Sequence, residues 1–232
     1  MKKMKPYKIT SNAALYRVKD AGQVNQELVD SVDWPKSKVM LGFDFKQLPL
    51  VAGKPPRFKV SKELDHRIAC YSPGIGLKKP EAFPAAGIEV RSPKSFAELK
   101  KVNTLCHKAF YKQWGKLVRH DYKAELKEYE KDYLAKTQSL IILKNGKPAG
   151  LYSHMQFQSV LGMKLDTLTW HNLLPGLSLG ERRSAHYQAA LWLKDTCTTK
   201  IAVVFSLFDR EAYEFFSGLG FYTRRALFIR RN

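Results

Sequence analysis

The chain has 232 residues, of which 44% are hydrophobic and 12% aromatic, a composition that builds a substantial core and excludes a disordered chain. The formal net charge of +19 is spread along the sequence and favours a polyanionic partner, such as a phosphate-rich cofactor, tRNA or DNA. No apolar stretch reaches the roughly 20 residues of a membrane span, and no apolar region follows the basic start, so we expect a cytoplasmic protein.

The three cysteines, Cys70, Cys106 and Cys197, are odd in number and far apart in the sequence. This spacing fits neither a disulfide framework nor a zinc-binding motif. We therefore expect three buried thiols and predict no metal site.

The first 86 residues have short apolar runs at 39–45 and 68–71 and become rich in Pro and Gly toward their end. This pattern predicts a β-containing extension of irregular structure, with one helix around residues 23–32. The sequence assigns no function to this segment.

From Gly87 onward the pattern becomes regular, beginning with a short strand at residues 88–90. Ser95 and Glu98 have the spacing of a capping box and predict the start of a helix. One face of that helix is apolar and comprises Phe96, Leu99, Val102, Cys106 and Phe110. A second helix has a stripe of large side chains at helical spacing, which we interpret as a packing surface: Tyr122, Leu126, Tyr129 and Tyr133.

Asn145 and Gly146 separate two apolar strands at residues 139–143 and 148–157, and Asn-Gly is the strongest short signal of a β-hairpin. A further strand is predicted at 161–170. After a loop containing Pro175 the sequence predicts an Ala-rich helix, a β-branched strand at 201–205, a short aromatic helix and a final strand.

Residues 173–225 resemble the acyl-CoA-binding half of the GNAT acetyltransferase superfamily. The resemblance rests on the loop before the Ala-rich helix, on Ser184-Ala185 and on the turn Leu219-Gly-Phe221, in the family's order. It implies an α/β (α+β) fold with a mixed, mostly antiparallel central sheet flanked by helices. The resembling domain covers residues 87–232, and residues 1–86 form an N-terminal extension. The implied reaction is acyl transfer from acyl-CoA to an amine.

The resemblance assigns a set of residues to the cofactor, namely Ser178, Leu179, Gly180, Arg182, Arg183, Ser184 and Asp209. In the family this loop offers backbone N–H groups to the pyrophosphate at a helix N-terminus. Here Ser178 replaces the expected arginine, and Glu181 and Arg183 occupy glycine positions. Two interpretations stay open: Arg182 and Arg183 grip phosphates, or Ser178 and Glu181 form a capping box.

The candidate catalytic residues are His171, Asp166 and Tyr213. Free imidazole has a pKa near 6.5 and suits a general base, so His171 could deprotonate the acceptor, or it could be a structural histidine. The family's acidic tyrosine is replaced by Phe216, which leaves Tyr213 either as a substitute proton donor or as a packed ring. Asp209 could likewise serve only as a helix N-cap.

Two alternatives keep the fold and change the partner. The loop around Gly180 also looks like the loop of some GNAT-like aminoacyl transferases, whose donor is an aminoacyl-tRNA, and the positive charge suits that donor. Alternatively, Arg224 and Arg225 beside aromatic residues could form part of a DNA-binding face.

Overall fold

The structure is a computed structural model that describes residues 4–9, 13–34, 40–73, 87–118, 122–158 and 164–229. The strands are β1 (Lys8–Ile9), β2 (Ala13–Arg17), β3 (Met40–Pro49), β4 (Asp65–Tyr71), β5 (Ile88–Arg91), β6 (Gln138–Lys144), β7 (Lys147–Gln158), β8 (Lys164–Leu173), β9 (Ile201–Ser206) and β10 (Tyr222–Ile229). The α-helices are α1 (Gln26–Ser31), α2 (Phe96–Val118), α3 (Tyr122–Asp132), α4 (Leu179–Thr196) and α5 (Arg210–Gly218). Among the described helices none is long and apolar enough to cross a membrane.

The chain divides into two compact units, one formed by residues 1–73 and 203–232 and the other by residues 74–202. The boundary within the sequence falls inside β9, whose first two residues belong to the second unit. The division of function between an extension at residues 1–86 and a domain at 87–232 stays a prediction. The order of elements from β5 to β10, with two helices before the three antiparallel strands, agrees with the order expected from the sequence.

The first unit is built on a sheet in which β10 is central, with β3 and β4 antiparallel on its two sides. Most of these strands come from the chain segment before residue 74, for which the sequence predicted β structure but no function. Aromatic rings fill the interior: Phe228 contacts both Phe43 and Phe58 edge-on. Across the sheet, Arg225 forms a bidentate ion pair with Asp44, so this guanidinium is engaged within the fold.

In the first unit, α5 packs through its apolar face, where Phe216 is fully buried. The Phe216 ring lies 5.3 Å from that of Phe205 on β9 and 5.0 Å from that of Phe221, measured between ring centroids. Phe216 therefore occupies the aromatic core, where a tyrosine hydroxyl would meet only other rings.

The second unit contains β5, β6, β7 and β8 in antiparallel order, together with the start of β9, which pairs parallel with β8. The β6–β7 hairpin turns as predicted at Asn145 and Gly146, whose φ angles of 49° and 73° are both left-handed. The predicted mixed, mostly antiparallel sheet flanked by helices is thereby confirmed.

Helix α2 covers one face of this sheet through Leu99, Val102 and Cys106, as the sequence predicts, and they pack with Leu151 of β7. Phe96, expected on the same face, is 51% exposed because it is the first residue of the helix. The opposite face is covered by α4, whose His186 and Trp192 meet alternate residues of β7. All three cysteines are buried free thiols, which confirms that expectation.

Candidate functional site

Strand β8 has an edge without a partner strand along more than half of its length. It pairs with β7 from Lys164 to Leu173, whereas within the described residues β9 pairs with it only at Asp166 and Thr167. Within the described residues the β8–β9 ladder thus ends at Thr167, and beyond it the ladder of β8 is with β7. Such an edge binds extended ligands through main-chain hydrogen bonds.

A β-bulge interrupts β8 inside this unpaired stretch. Trp170 pairs with Ser153 and Leu168 pairs with His154, so Thr169 is an extra residue in the strand. The Thr169 hydroxyl donates to the Ser153 carbonyl oxygen at 3.3 Å and therefore accepts the hydrogen bond from the Tyr129 hydroxyl at 2.8 Å. Bulges redirect the backbone groups of a strand, so the amides around Thr169 are aimed away from the regular ladder.

The N-terminus of α4 follows closely on the end of β8. Ser178 is the N-cap: its hydroxyl accepts from the Glu181 amide at 3.3 Å, and the Glu181 carboxylate accepts from the Ser178 amide at 2.7 Å. This confirms the capping-box interpretation of Glu181. The amides of Leu179 and Gly180, in the first turn, have no partner within the helix and remain as potential anion ligands.

Glu181 brings a negative charge to this helix end. Its carboxylate is 2.9 Å from Nζ of Lys144, which also donates to the Gly176 carbonyl oxygen at 3.2 Å. The hydrogen bond from the Ser178 amide, and secondly that from Lys144, hold the pKa of Glu181 below its ordinary value. The carboxylate is therefore ionised at neutral pH and partly compensates the positive end of the helix.

A cavity of about 300 Å³ lies between the β6–β7 hairpin and the loop that leads into α4. Lys144 and Lys147 line it from the hairpin, and Pro175, Gly176 and Leu177 line it from the loop. Gly176 has a φ of 95°, a left-handed conformation that side chains rarely adopt, so glycine suits this turn. The cavity thus lies between two lysine side chains and the loop that leads into α4.

The structure brings only part of the predicted cofactor set together. Ser178, Leu179 and Gly180 form the start of α4, and Arg182 donates to the Leu174 carbonyl oxygen at 3.2 Å within the same loop. Ser184 is buried, so its hydroxyl does not reach the outside of the helix end.

Two further predicted residues remain, Arg183 and Asp209. Arg183 lies in the second turn of α4 and is exposed. Asp209 belongs to the other unit, where its side chain accepts from the Ala212 amide at 3.0 Å and caps α5, in agreement with the alternative role given above.

The three predicted catalytic residues have different surroundings. His171 lies on β8 after the bulge, directly opposite Tyr152, whose hydroxyl is 2.5 Å from Nδ1 of His186 on α4. Asp166 is buried at the start of β8, where one carboxylate oxygen accepts from Thr198 and Thr199. His171 is thus the member of the set that shares the strand edge with the bulge.

Tyr213 is buried in the first unit, and its hydroxyl is fully engaged by backbone. Its single proton is shared between the carbonyl oxygens of Val51 and Lys54, at 3.1 Å and 3.0 Å, and its oxygen accepts from the Val51 amide at 3.2 Å. Burial raises the pKa of Tyr213 above its usual value. These bonds anchor the loop after β3, and a role for Tyr213 as proton donor stays a prediction.

Sequence reasoning missed a polar group on the α2 face of β8. His107 stacks on Trp170 with ring centroids 4.0 Å apart, and Asn103 lies one helical turn earlier on α2. In the described residues, both ring nitrogens of His107 and both amide atoms of Asn103 lack a hydrogen-bond partner although they are buried. Burial lowers the pKa of His107 to about 4, so the ring is neutral at pH 7. The four-residue spacing of two polar residues on an apolar helix face was the available signal.

No protein-family model matches the chain, and no curated protein matches it in sequence. Solved structures do match. A conserved protein of unknown function from Staphylococcus epidermidis ATCC 12228 aligns over 97% of this chain and 94% of its own, at 10% identity and a TM-score of 0.52. It shows that the fold recurs over nearly the whole sequence.

Two acetyltransferase structures also match. A GCN5-related N-acetyltransferase from Kribbella flavida aligns over 83% of this chain and 68% of its own, at 11% identity and a TM-score of 0.45. A predicted acetyltransferase from Clostridium acetobutylicum, solved with acetyl-CoA, aligns over 56% and 88%, at 15% identity and a TM-score of 0.42.

Proposed function

We propose that this chain is an acyltransferase that takes an acyl group from an acyl-CoA thioester and delivers it to an amine. The observation that carries the proposal is the unpaired, bulged edge of β8, with the N-terminus of α4 at its end. In the reaction the amine nitrogen bonds to the carbonyl carbon and the carbon–sulfur bond breaks. The ammonium proton goes to a base, and the departing thiolate takes up a proton.

The edge of β8 suits the middle of such a donor. The arm between the phosphates and the thioester of CoA carries amide groups, which can hydrogen-bond to the backbone of β8 around Thr169 in the manner of an added strand. The bulge at Thr169 would direct a backbone amide to the thioester carbonyl oxygen, where negative charge develops. Tyr129 would act here as a positioning residue, because its hydroxyl forms a hydrogen bond with the Thr169 hydroxyl.

The start of α4 suits the donor's phosphates. The amides of Leu179 and Gly180 point out of the positive end of the helix, and Lys144 and Lys147 line the neighbouring cavity. Glu181 opposes this binding because its carboxylate competes for the same positive region. We therefore infer that, when the donor binds, the Lys144 ammonium leaves the Glu181 carboxylate and contacts a phosphate of the donor instead.

His171 is the proposed base, since it follows the bulge on the same strand edge. Its imidazole would accept the proton of the attacking amine. Asn103 and His107, on the other face of β8 beside Trp170, would offer hydrogen bonds to the polar part of the acceptor.

The proposal is tested by thiol release from acetyl-CoA with a panel of primary amines, together with calorimetric binding of acetyl-CoA. Glu181→Gln should tighten acetyl-CoA binding roughly two- to fivefold, the size of a charge effect at a helix terminus. The control is Glu98→Gln, which removes a carboxylate in the first turn of α2, where it accepts from the Lys94 amide, and should leave donor binding unchanged.

Absence of acetyl-CoA binding at millimolar concentration, in both the wild type and Glu181→Gln, would overturn the proposal. Charged tRNA is the second donor in the same assay. Amine acylation with charged tRNA but not with acetyl-CoA would assign the transferase to the aminoacyl alternative.

A further inference from the structure

A second polar group lies at the other end of β8, away from the helix start described above. It comprises His154 of β7, Asp166 of β8 and Cys197, the residue that ends α4. All three are buried, and their potential ligand atoms lie within 4.8 Å of one another. Neither the proposed acyl transfer nor the packing of α4 accounts for this grouping.

The hydrogen bonds of His154 determine which ring nitrogen carries a proton. The Thr196 hydroxyl donates its proton to the Trp192 carbonyl oxygen at 2.8 Å, so it can only accept from Nε2 of His154, 3.0 Å away. In the neutral ring, Nδ1 therefore holds a lone pair. Nδ1 is buried and has no hydrogen-bond partner among the described residues.

Asp166 is oriented in the same way by its neighbours. Its Oδ2 accepts from the Thr198 amide at 2.9 Å, and from the Thr199 amide and hydroxyl at 2.7 Å and 2.8 Å. Its Oδ1 faces His154 Nδ1 at 3.6 Å, which is beyond hydrogen-bonding distance. Two electron-pair donors thus face each other in a buried space, beside the Cys197 sulfur.

Such an arrangement is unfavourable unless a cation lies between the donors, because buried lone pairs need a partner. A proton on Nδ1 would supply one, but the burial of His154 disfavours the charged imidazolium. No Lys or Arg of the described part of the chain pairs with Asp166. A metal ion meets the requirement without protonating the ring.

We propose that His154 Nδ1, Asp166 Oδ1 and Cys197 Sγ bind one divalent cation of the zinc class. Nitrogen, carboxylate oxygen and thiolate are the ligands of such ions. A tetrahedral site places its ligand atoms roughly 3.3–3.7 Å apart. The longest distance between the ligand atoms of this group therefore needs to shorten by about 1 Å when the ion binds. On binding, the Cys197 thiol loses its proton to solvent, and a water completes the coordination.

The surroundings have the features of a metal site beyond the ligands themselves. A metal-bound histidine usually donates its other ring N–H to a neighbouring oxygen, as His154 does to Thr196, and a ligating carboxylate is itself hydrogen-bonded, as Asp166 is to Thr199. The ion would join β7, the start of β8 and the end of α4. It would stabilise the base of the unpaired strand edge.

The test uses Co²⁺ alone as the probe, added to full-length protein that was purified with chelator. We expect one Co²⁺ per chain, with the near-ultraviolet charge-transfer band of a thiolate ligand, and displacement of that band by Zn²⁺. Cys197→Ser should lose the band. The matched control, Cys106→Ser, removes another buried thiol and should keep it.

A double variant, Cys70→Ser with Cys106→Ser, leaves Cys197 as the single cysteine of the chain and keeps the test valid if Cys197→Ser does not fold. This variant should retain the band. The proposal is overturned if wild-type protein shows no charge-transfer band with Co²⁺ and its melting temperature responds neither to Zn²⁺ nor to chelator. None of these readouts depends on acyltransferase activity.

Discussion

Replacing Tyr213 by phenylalanine separates its structural role from a catalytic one. The substitution removes a hydroxyl that donates to the carbonyl oxygens of Val51 and Lys54 and accepts from the Val51 amide. Each such hydrogen bond contributes about 0.5–1.5 kcal/mol net, and the backbone groups left behind are partly buried. We therefore expect Tyr213→Phe to lower the free energy of unfolding by about 1–3 kcal/mol, with kcat changed by less than about threefold.

Urea denaturation measures the free energy, and thiol release from acetyl-CoA measures kcat. Tyr133→Phe is the matched control: the Tyr133 hydroxyl makes no hydrogen bond within the described residues, so stability should hardly change. The reasoning is refuted if Tyr213→Phe keeps wild-type stability while kcat falls by roughly 100-fold or more, the loss typical of a general acid.

Three further predictions concern the rings around β8 and α5. Phe216→Tyr should destabilise the fold by about 1–3 kcal/mol without raising kcat, because the hydroxyl would be buried among aromatic rings; denaturation and thiol release check both. Tyr129→Phe should lower kcat more than it raises KM, since it frees Thr169 of the bulge, and steady-state kinetics decide this. His107, with a folded pKa of about 4, binds fewer protons than in the unfolded chain between pH 6.5 and 4, so stability should fall by about 2–3 kcal/mol as the pH drops through that window. In His107→Phe the loss of stability over the same pH range should be smaller, as measured by denaturation at each pH.

Local features were predictable from the sequence because neighbouring residues determine them. The Asn145-Gly146 turn formed as expected, and of the two interpretations left open for Glu181 the structure has the capping box with Ser178. Likewise, the order of elements after Gly87 followed from hydrophobic periodicity together with the capping and turn signals.

The features that make the site were not predictable, since they depend on pairing between distant segments. The bulge at Thr169 exists only relative to β7, and the short ladder of Asp166 and Thr167 depends on β9, which lies beyond α4 in the sequence. For the same reason His154, Asp166 and Cys197 lie together in space although no sequence spacing connects them. The segment before residue 74 was hardest, because its strands are organised around β10 at the far end of the chain.

Amide hydrogen exchange with and without acetyl-CoA tests the central claim most directly, since it reports on individual backbone groups. The β8 residues around the bulge and the start of α4 should become protected, at residues 168–170 and 179–180, and the β10 amides should be unaffected. Binding of acetyl-CoA that leaves exchange on β8 unchanged, with protection confined to other segments, would contradict the account.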